Sequence, residues 1–162
     1  MSLAVTGCGG AYALDREVVS ARDCPTAQLD HNEALARAVL EDVLGRGLID
    51  ENENIYHRDF VAHAAGRDVG RAEDRAAAEG WRKAAPDLRV TVLRVAAACD
   101  SVVAHFEASG VNTGEGNGLP ATGRTFRVQG MTFFNVRDGQ IAEEWTVFDQ
   151  DGLLAQLGLL GE

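Results

Sequence analysis

An α+β fold is what this sequence predicts, and three observations carry the prediction. Apolar residues recur at helical spacing in the first half of the chain, alternate as in strands in the second half, and meet in a hairpin signal at Arg137-Asp138-Gly139. Asp-Gly between runs rich in Val, Phe, Ile and Trp marks a tight turn, because glycine takes the positive φ that such a turn needs. Helices first and antiparallel strands second place the helices on one face of a sheet. A chain of 162 residues is long enough for one domain with its own core.

The elements follow in order. Residues 1–29 are small, Gly- and Ala-rich and weakly patterned, and are expected to form a flexible or loosely docked N-terminal extension ahead of a single domain at 30–162. Asp30 or Asn32 can cap a first helix whose apolar positions are Leu35, Val39, Leu40, Val43 and Leu44, and which Gly45 and Gly47 end. The acidic, Asn-rich stretch 49–56 has no assignment, and Phe60-Val61-Ala62-His63 reads as a short strand. A second helix is predicted over 71–85, stopped by Pro86, with the small face Ala76, Ala77, Gly80, Trp81 and Ala84 turned to the sheet. Strands are predicted over 88–96, 101–112, 124–136 and 140–148, joined by Cys99-Asp100, a Gly-rich crossover at 113–123 and the Asp-Gly turn. Asp149 or Asp151 would cap a last helix at 152–157.

Composition excludes several classes of function. A formal charge of −10 repels nucleic acid and anionic lipid, so neither is an expected partner. No run of about 18 apolar residues is present to span a membrane. Cys8, Cys24 and Cys99 are odd in number, widely spaced and without metal cadence; the expectation is reduced thiols in a cytoplasm. Val5-Thr6-Gly7-Cys8 has the look of a lipoprotein cleavage box, but too few residues precede it for a signal, and it reads as chance. Gly114-Glu115-Gly116-Asn117-Gly118 precedes a strand where a phosphate cradle would open a helix. With no His/Asp/Glu pair at metal spacing either, no metal, nucleotide or other cofactor is expected.

The order of several short motifs carries a family resemblance. Phe60-Val61-Ala62-His63, Gly80-Trp81, Ala85-Pro86-Asp87-Leu88-Arg89-Val90, Asn112-Thr113-Gly114-Glu115, Gly118-Leu119-Pro120-Ala121-Thr122-Gly123-Arg124, Gly130-Met131-Thr132-Phe133-Phe134, Asp138-Gly139-Gln140-Ile141 and Glu143-Glu144-Trp145 follow one another across about residues 32–158. In that order and spacing the chain resembles the SnoaL-like polyketide cyclases, of the nuclear transport factor two-like (cystatin-like) superfamily. The resemblance implies a cone: a strongly curved antiparallel sheet around helices, with a pocket at its open end and often a homodimer joined through the outer sheet face. It also implies an aspartate on the last strand as acid/base and a histidine on the strand before it. Alignment through Asp138-Gly139 puts Thr146 and Thr132 at those two positions. A threonine hydroxyl forms hydrogen bonds but does not trade a proton near neutral pH.

Acid/base work must therefore come from other residues. Strand side chains alternate between faces, so Glu144 shares the inward parity of Thr146, and an apolar surround would raise its pKa. Glu144 is the candidate acid or base, and His63, at the end of the short strand, its candidate partner. Thr132, Thr146 and Asn112 are candidates to orient a ligand, Asn112 having a turn role as its alternative. Trp81, Phe106, Phe134 and Phe148 would supply apolar walls or core. Trp145 and Phe133 take the outer face, as do Glu107 and Gln129; His57 is expected at the surface. The resulting expectation is a cofactor-independent pocket enzyme for cyclisation, isomerisation, dehydration or hydration of a hydrophobic, oxygenated small molecule such as a polyketide intermediate. Its rivals are a protein that binds or sequesters the same ligand without turnover, and an accessory subunit of an oxygenase.

Overall fold

The computed structural model describes residues 23–64 and 66–160. What was expected of residues 1–22, Cys8 included, lies outside the described residues. Helix α1 (Thr26–Arg37) runs on as a π-helical segment (Ala38–Arg46), and a 3-10 helix (Asp50–Ile55) leads into strand β1 (Tyr56–Ala64). There follow β2 (Arg67–Gly70), α2 (Arg71–Ala84), β3 (Arg89–Ala97), β4 (Ser101–Val111), β5 (Thr125–Arg137), β6 (Gln140–Phe148) and α3 (Gln150–Leu157). The α+β class is as the sequence predicts, with a six-stranded open, curved sheet in the order β2-β1-β6-β5-β4-β3. One pairing departs from the antiparallel expectation, because β1 lies parallel to β6 and so links the first strand to the last.

The first helix starts a turn earlier than its cap signals suggest. Asp30 and Asn32 both sit inside α1, and Asn32 is fully buried, its amide donating to the carbonyls of Ala98 (2.7 Å) and Cys99 (3.3 Å). A polar side chain this deep stays only where the fold supplies acceptors. Gln28 also donates to the Cys99 carbonyl, so the start of α1 is stitched to the β3–β4 turn. That contact overturns the expectation of reduced thiols for two cysteines: Cys24 and Cys99, 75 residues apart, are joined as a disulfide with Cα atoms 5.3 Å apart. Their spacing along the chain held no hint of it, since the contact is made by the docking of a helix. We expect both to resist alkylation in unreduced protein and both to be labelled once reductant is added. Labelling of either without reductant would contradict the bond.

Gly47, at φ +74°, ends the π-helical segment, and its N–H reaches the Val43 carbonyl (3.1 Å). Arg82 of α2 then clamps the helices together, donating to the carbonyls of Gly45 (2.7 Å), Leu88 (2.8 Å) and Pro86 (2.9 Å). The hairpin turn has Asp138 at φ +54° and Gly139 at φ +74°, two successive left-handed residues as a tight β5–β6 connection requires. Asp149 caps α3, its carboxylate accepting from the Gly152 N–H at 2.9 Å. The acidic stretch left unassigned is the 3-10 helix, and β1 begins at Tyr56, four residues earlier than the predicted strand. His57, expected at the surface, is 8% exposed; its Nδ1 accepts from the Asp59 N–H at 3.1 Å, which satisfies it locally.

The crossover 113–123 explains its own glycines. A Cβ on Gly114 would stand 2.1 Å from the Lys83 carbonyl oxygen, and one on Gly116 2.0 Å from that of Gly80, so the loop lies directly on the α2 backbone. Asn112 is the anchor. It is 1% exposed, donates to the carbonyls of Ala84 (3.2 Å) and Gly114 (3.0 Å), and accepts from the N–H (2.9 Å) and hydroxyl (2.8 Å) of Thr122. With its amide consumed by the loop, Asn112 is a turn residue and has no free group to offer a ligand.

Candidate active site

Cross-strand partners share a face of a sheet, so the register sorts the candidates. Ala62 of β1 pairs with Glu144 of β6, which pairs with Phe134 of β5; Thr146 pairs with Thr132, and Phe148 with Gly130 opposite Phe106. These rows form the inner face of the curved sheet. The π-helical segment and α2 close over it, leaving a chamber of about 470 Å³ whose walls include Val39, Leu40, Val43, Tyr56, Trp81, Phe106 and Phe148. Two smaller hollows adjoin it, about 150 Å³ toward β2 and about 100 Å³ toward α3, and Thr146 borders all three spaces. The volume suits a ligand of several fused rings. A larger hollow of about 640 Å³ lies on the opposite sheet face beside Met131 and Val147.

Glu144 and Asp74 are the charged side chains on the wall of the main chamber. Thr146 donates its hydroxyl proton to Glu144 Oε1 at 2.8 Å and lies 2.8 Å from the Thr132 hydroxyl. Having given its one proton to the carboxylate, Thr146 can only accept from Thr132, so the two hydroxyls form a directed chain ending on Glu144. Thr132 is fully buried and acts through Thr146 without facing the chamber itself. Burial pushes the Glu144 carboxyl up to about 7, and the Asp74 carboxylate pushes it the same way; the Thr146 hydrogen bond and the Arg71 guanidinium pull it down. Glu144 is half-buried and borders both the main chamber and the hollow toward β2.

On α2, Arg71 donates to Asp74 (2.8 Å) and to Glu53 of the 3-10 helix (2.8 and 3.2 Å), and its guanidinium lies 3.6 Å over the Tyr56 ring. This charge-assisted clamp and cation–π contact fix the floor of the chamber. Burial raises the Asp74 carboxyl despite Arg71, and it pushes the Tyr56 phenol well above its usual range. Sequence reasoning missed all three. Asp74 had a signal, since it precedes Trp81 by seven residues and so shares its helical stripe; Tyr56 lay in the unassigned stretch.

Of the predicted site residues, the structure brings together Glu144, Thr146, Thr132, Trp81, Phe106 and Phe148 around one chamber. His63 is not on the main chamber's wall, although it borders the adjoining hollow toward β2 together with Glu144, Asp74 and Thr146. His63 pairs with Trp145, takes its outward parity, and stacks on that indole at 4.2 Å with Nδ1 2.7 Å from Asp68 Oδ1. Phe134 is core, 0% exposed, behind the wall that Glu144 presents. Among the described residues no group of three or more His, Cys, Asp or Glu has the geometry to hold a metal ion. No helix among them is long and apolar enough to cross a membrane.

Comparison with known proteins places this architecture. A family model, SnoaL-like polyketide cyclase, matches residues 34–157. The chain belongs to that family. TsrD from Streptomyces laurentii is similar in structure at 28% identity and a TM-score of 0.73, over 81% of this chain and 97% of that one. IdmH from Streptomyces antibioticus, a candidate polyketide cyclase, is 26% identical with a TM-score of 0.69 over 78% and 98%. AclR from Streptomyces galilaeus, a candidate hydroxylase, is 25% identical with a TM-score of 0.73 over 83% and 89%. A search of curated proteins finds no match.

The hydroxyl chain makes a direct prediction for this member of the SnoaL-like family. Thr146→Val removes the donor that favours the ionised carboxylate, so the Glu144 titration midpoint is expected to rise. Carboxyl 13C chemical shifts followed against pH would read it, and a midpoint that falls would contradict the bond.

Proposed function

We propose that this protein is a cofactor-independent pocket enzyme that moves a proton on a hydrophobic, oxygenated small molecule such as a polyketide intermediate. The observation that carries the reading is a carboxyl, Glu144, on the wall of an apolar chamber, with its proton affinity raised toward neutrality. Near that pH the protonated form can donate to a carbonyl or leaving oxygen, and the ionised form can take an acidic proton from carbon, as cyclisation, isomerisation, dehydration and hydration require. Thr146 aligns the carboxyl and borders the ligand space, Thr132 holds Thr146, and Trp81, Phe106 and Phe148 receive a flat ring system. A candidate cyclase and a candidate hydroxylase share this fold, so the fold leaves the chemistry to the chamber's own residues.

The test is incubation with a panel of aromatic polyketide intermediates, followed by product analysis. Product that depends on Glu144 supports the reading, whereas ligand held at stoichiometric occupancy and recovered unchanged by wild-type protein would make it a binding protein. On the outer face, Met131, Trp145 and Val147 form an exposed apolar strip, and this is where the expected homodimer would join.

A further inference from the structure

We propose that Asp74 is the second working carboxyl of the chamber and that it shares a single proton with Glu144. The inference deepens the reading of Glu144 as the chamber's acid or base. Asp74 comes from α2 and Glu144 from β6, and both open on the main chamber and on the hollow beside β2. The charged and titratable groups that face this pair are few. From α2 there is Arg71, clamped to Asp74 and Glu53; from β1, the Tyr56 phenol beneath that guanidinium. At the smaller hollow, Arg67 and Glu73 are paired with each other, and His63 of β1 borders the same space with its Nδ1 2.7 Å from Asp68 Oδ1. Arg71 is thus the cation that acts on the two carboxyls, and two like charges in a poorly solvated space cannot both ionise cheaply.

The surroundings also decide which carboxyl keeps the proton. Asp74 accepts a charged bond from Arg71 at 2.8 Å, and Glu144 accepts only a hydroxyl. The ionised member is therefore Asp74 and the protonated member Glu144, although the titration steps belong to the pair. A ligand oxygen in the chamber then meets a proton donor with a fixed anion on the lining of the same space, an arrangement that favours neutral ligands and disfavours carboxylates.

The experiment is a 13C carboxyl titration of the full-length protein, read by NMR. Asp74→Asn is expected to lower the Glu144 midpoint by about one pH unit, and Arg71→Met to raise it. Asp74→Asn also frees Arg71, so the deciding comparison is made without that cation: Arg71→Met/Asp74→Asn must titrate lower at Glu144 than Arg71→Met alone. Equal midpoints in those two proteins would overturn the proposal. If the double variant does not fold, Glu144→Gln must lower the Asp74 midpoint, and an unmoved Asp74 overturns it. The titration needs no substrate, so its failure is distinct from that of the catalytic reading, which falls if Glu144→Gln still turns substrate over.

Discussion

Glu144→Gln is expected to lower kcat by at least about a hundredfold while leaving KM little changed. Glutamine keeps the size of the side chain and can still accept from Thr146, but it cannot exchange a proton, so the loss falls on the chemical step and not on binding. The wild-type pH–rate profile should show a limb centred at about 7 that is missing from any residual activity of the variant. The same substitution has an effect on stability of opposite sign. In the unfolded chain this carboxyl gives up its proton around its ordinary 4.5, whereas in the fold it holds it up to about 7. Between those values the unfolded state binds fewer protons than the native state, so stability falls as pH rises, and above the folded value the whole penalty is present. Glu144→Gln removes that penalty. Thermal melts should therefore show the variant gaining on wild type as pH is raised through this window, and a constant gap between the two would contradict the assignment. An inactive variant that is more stable above neutral pH marks a residue kept for function.

Phe134→Ala is expected to cost about 3–5 kcal/mol of folding stability, a large part of the roughly 5–15 kcal/mol a domain commonly has. The ring is completely buried, in register with Glu144 on one side and Val102 of β4 on the other, where no ligand reaches it. Trp81 and Phe148 meet edge to face with centroids 6.0 Å apart on the chamber wall, so their replacement by alanine should weaken ligand binding more than it weakens the fold. Urea unfolding of Phe134→Ala measures the first effect. A loss below about 1 kcal/mol would mean the site collapses around the missing ring, against the packed core described.

Local rules explain what was legible in the sequence. The hairpin turn at Asp138-Gly139, the Asp149 cap, the stop at Pro86 and the alternation along β6 each depend on neighbours in the chain, and alternation alone suffices to turn Glu144 and Thr146 inward together. What could not be read depends on contacts between distant segments. The parallel pairing of β1 with β6 stacks His63 on Trp145 and leaves it bordering only the smaller hollow and not the main chamber, a register that no property of residues 60–63 reveals. The Cys24–Cys99 bond and the burial of Asn32 follow from where α1 docks on the β3–β4 turn. Asp74 lay within reach, since its helical stripe is written in the sequence. Its importance comes from Glu144 facing it across the chamber, which only the assembled fold supplies.

Everything proposed for the chamber depends on the Glu144 carboxyl lining a mostly apolar space that makes it hold its proton close to neutrality. A carboxyl-13C titration of the wild-type protein, assigned through Glu144→Gln, tests this most directly. The account predicts a midpoint of about 7 for Glu144. A midpoint at the ordinary 4.5 would place the group in open solvent and contradict it.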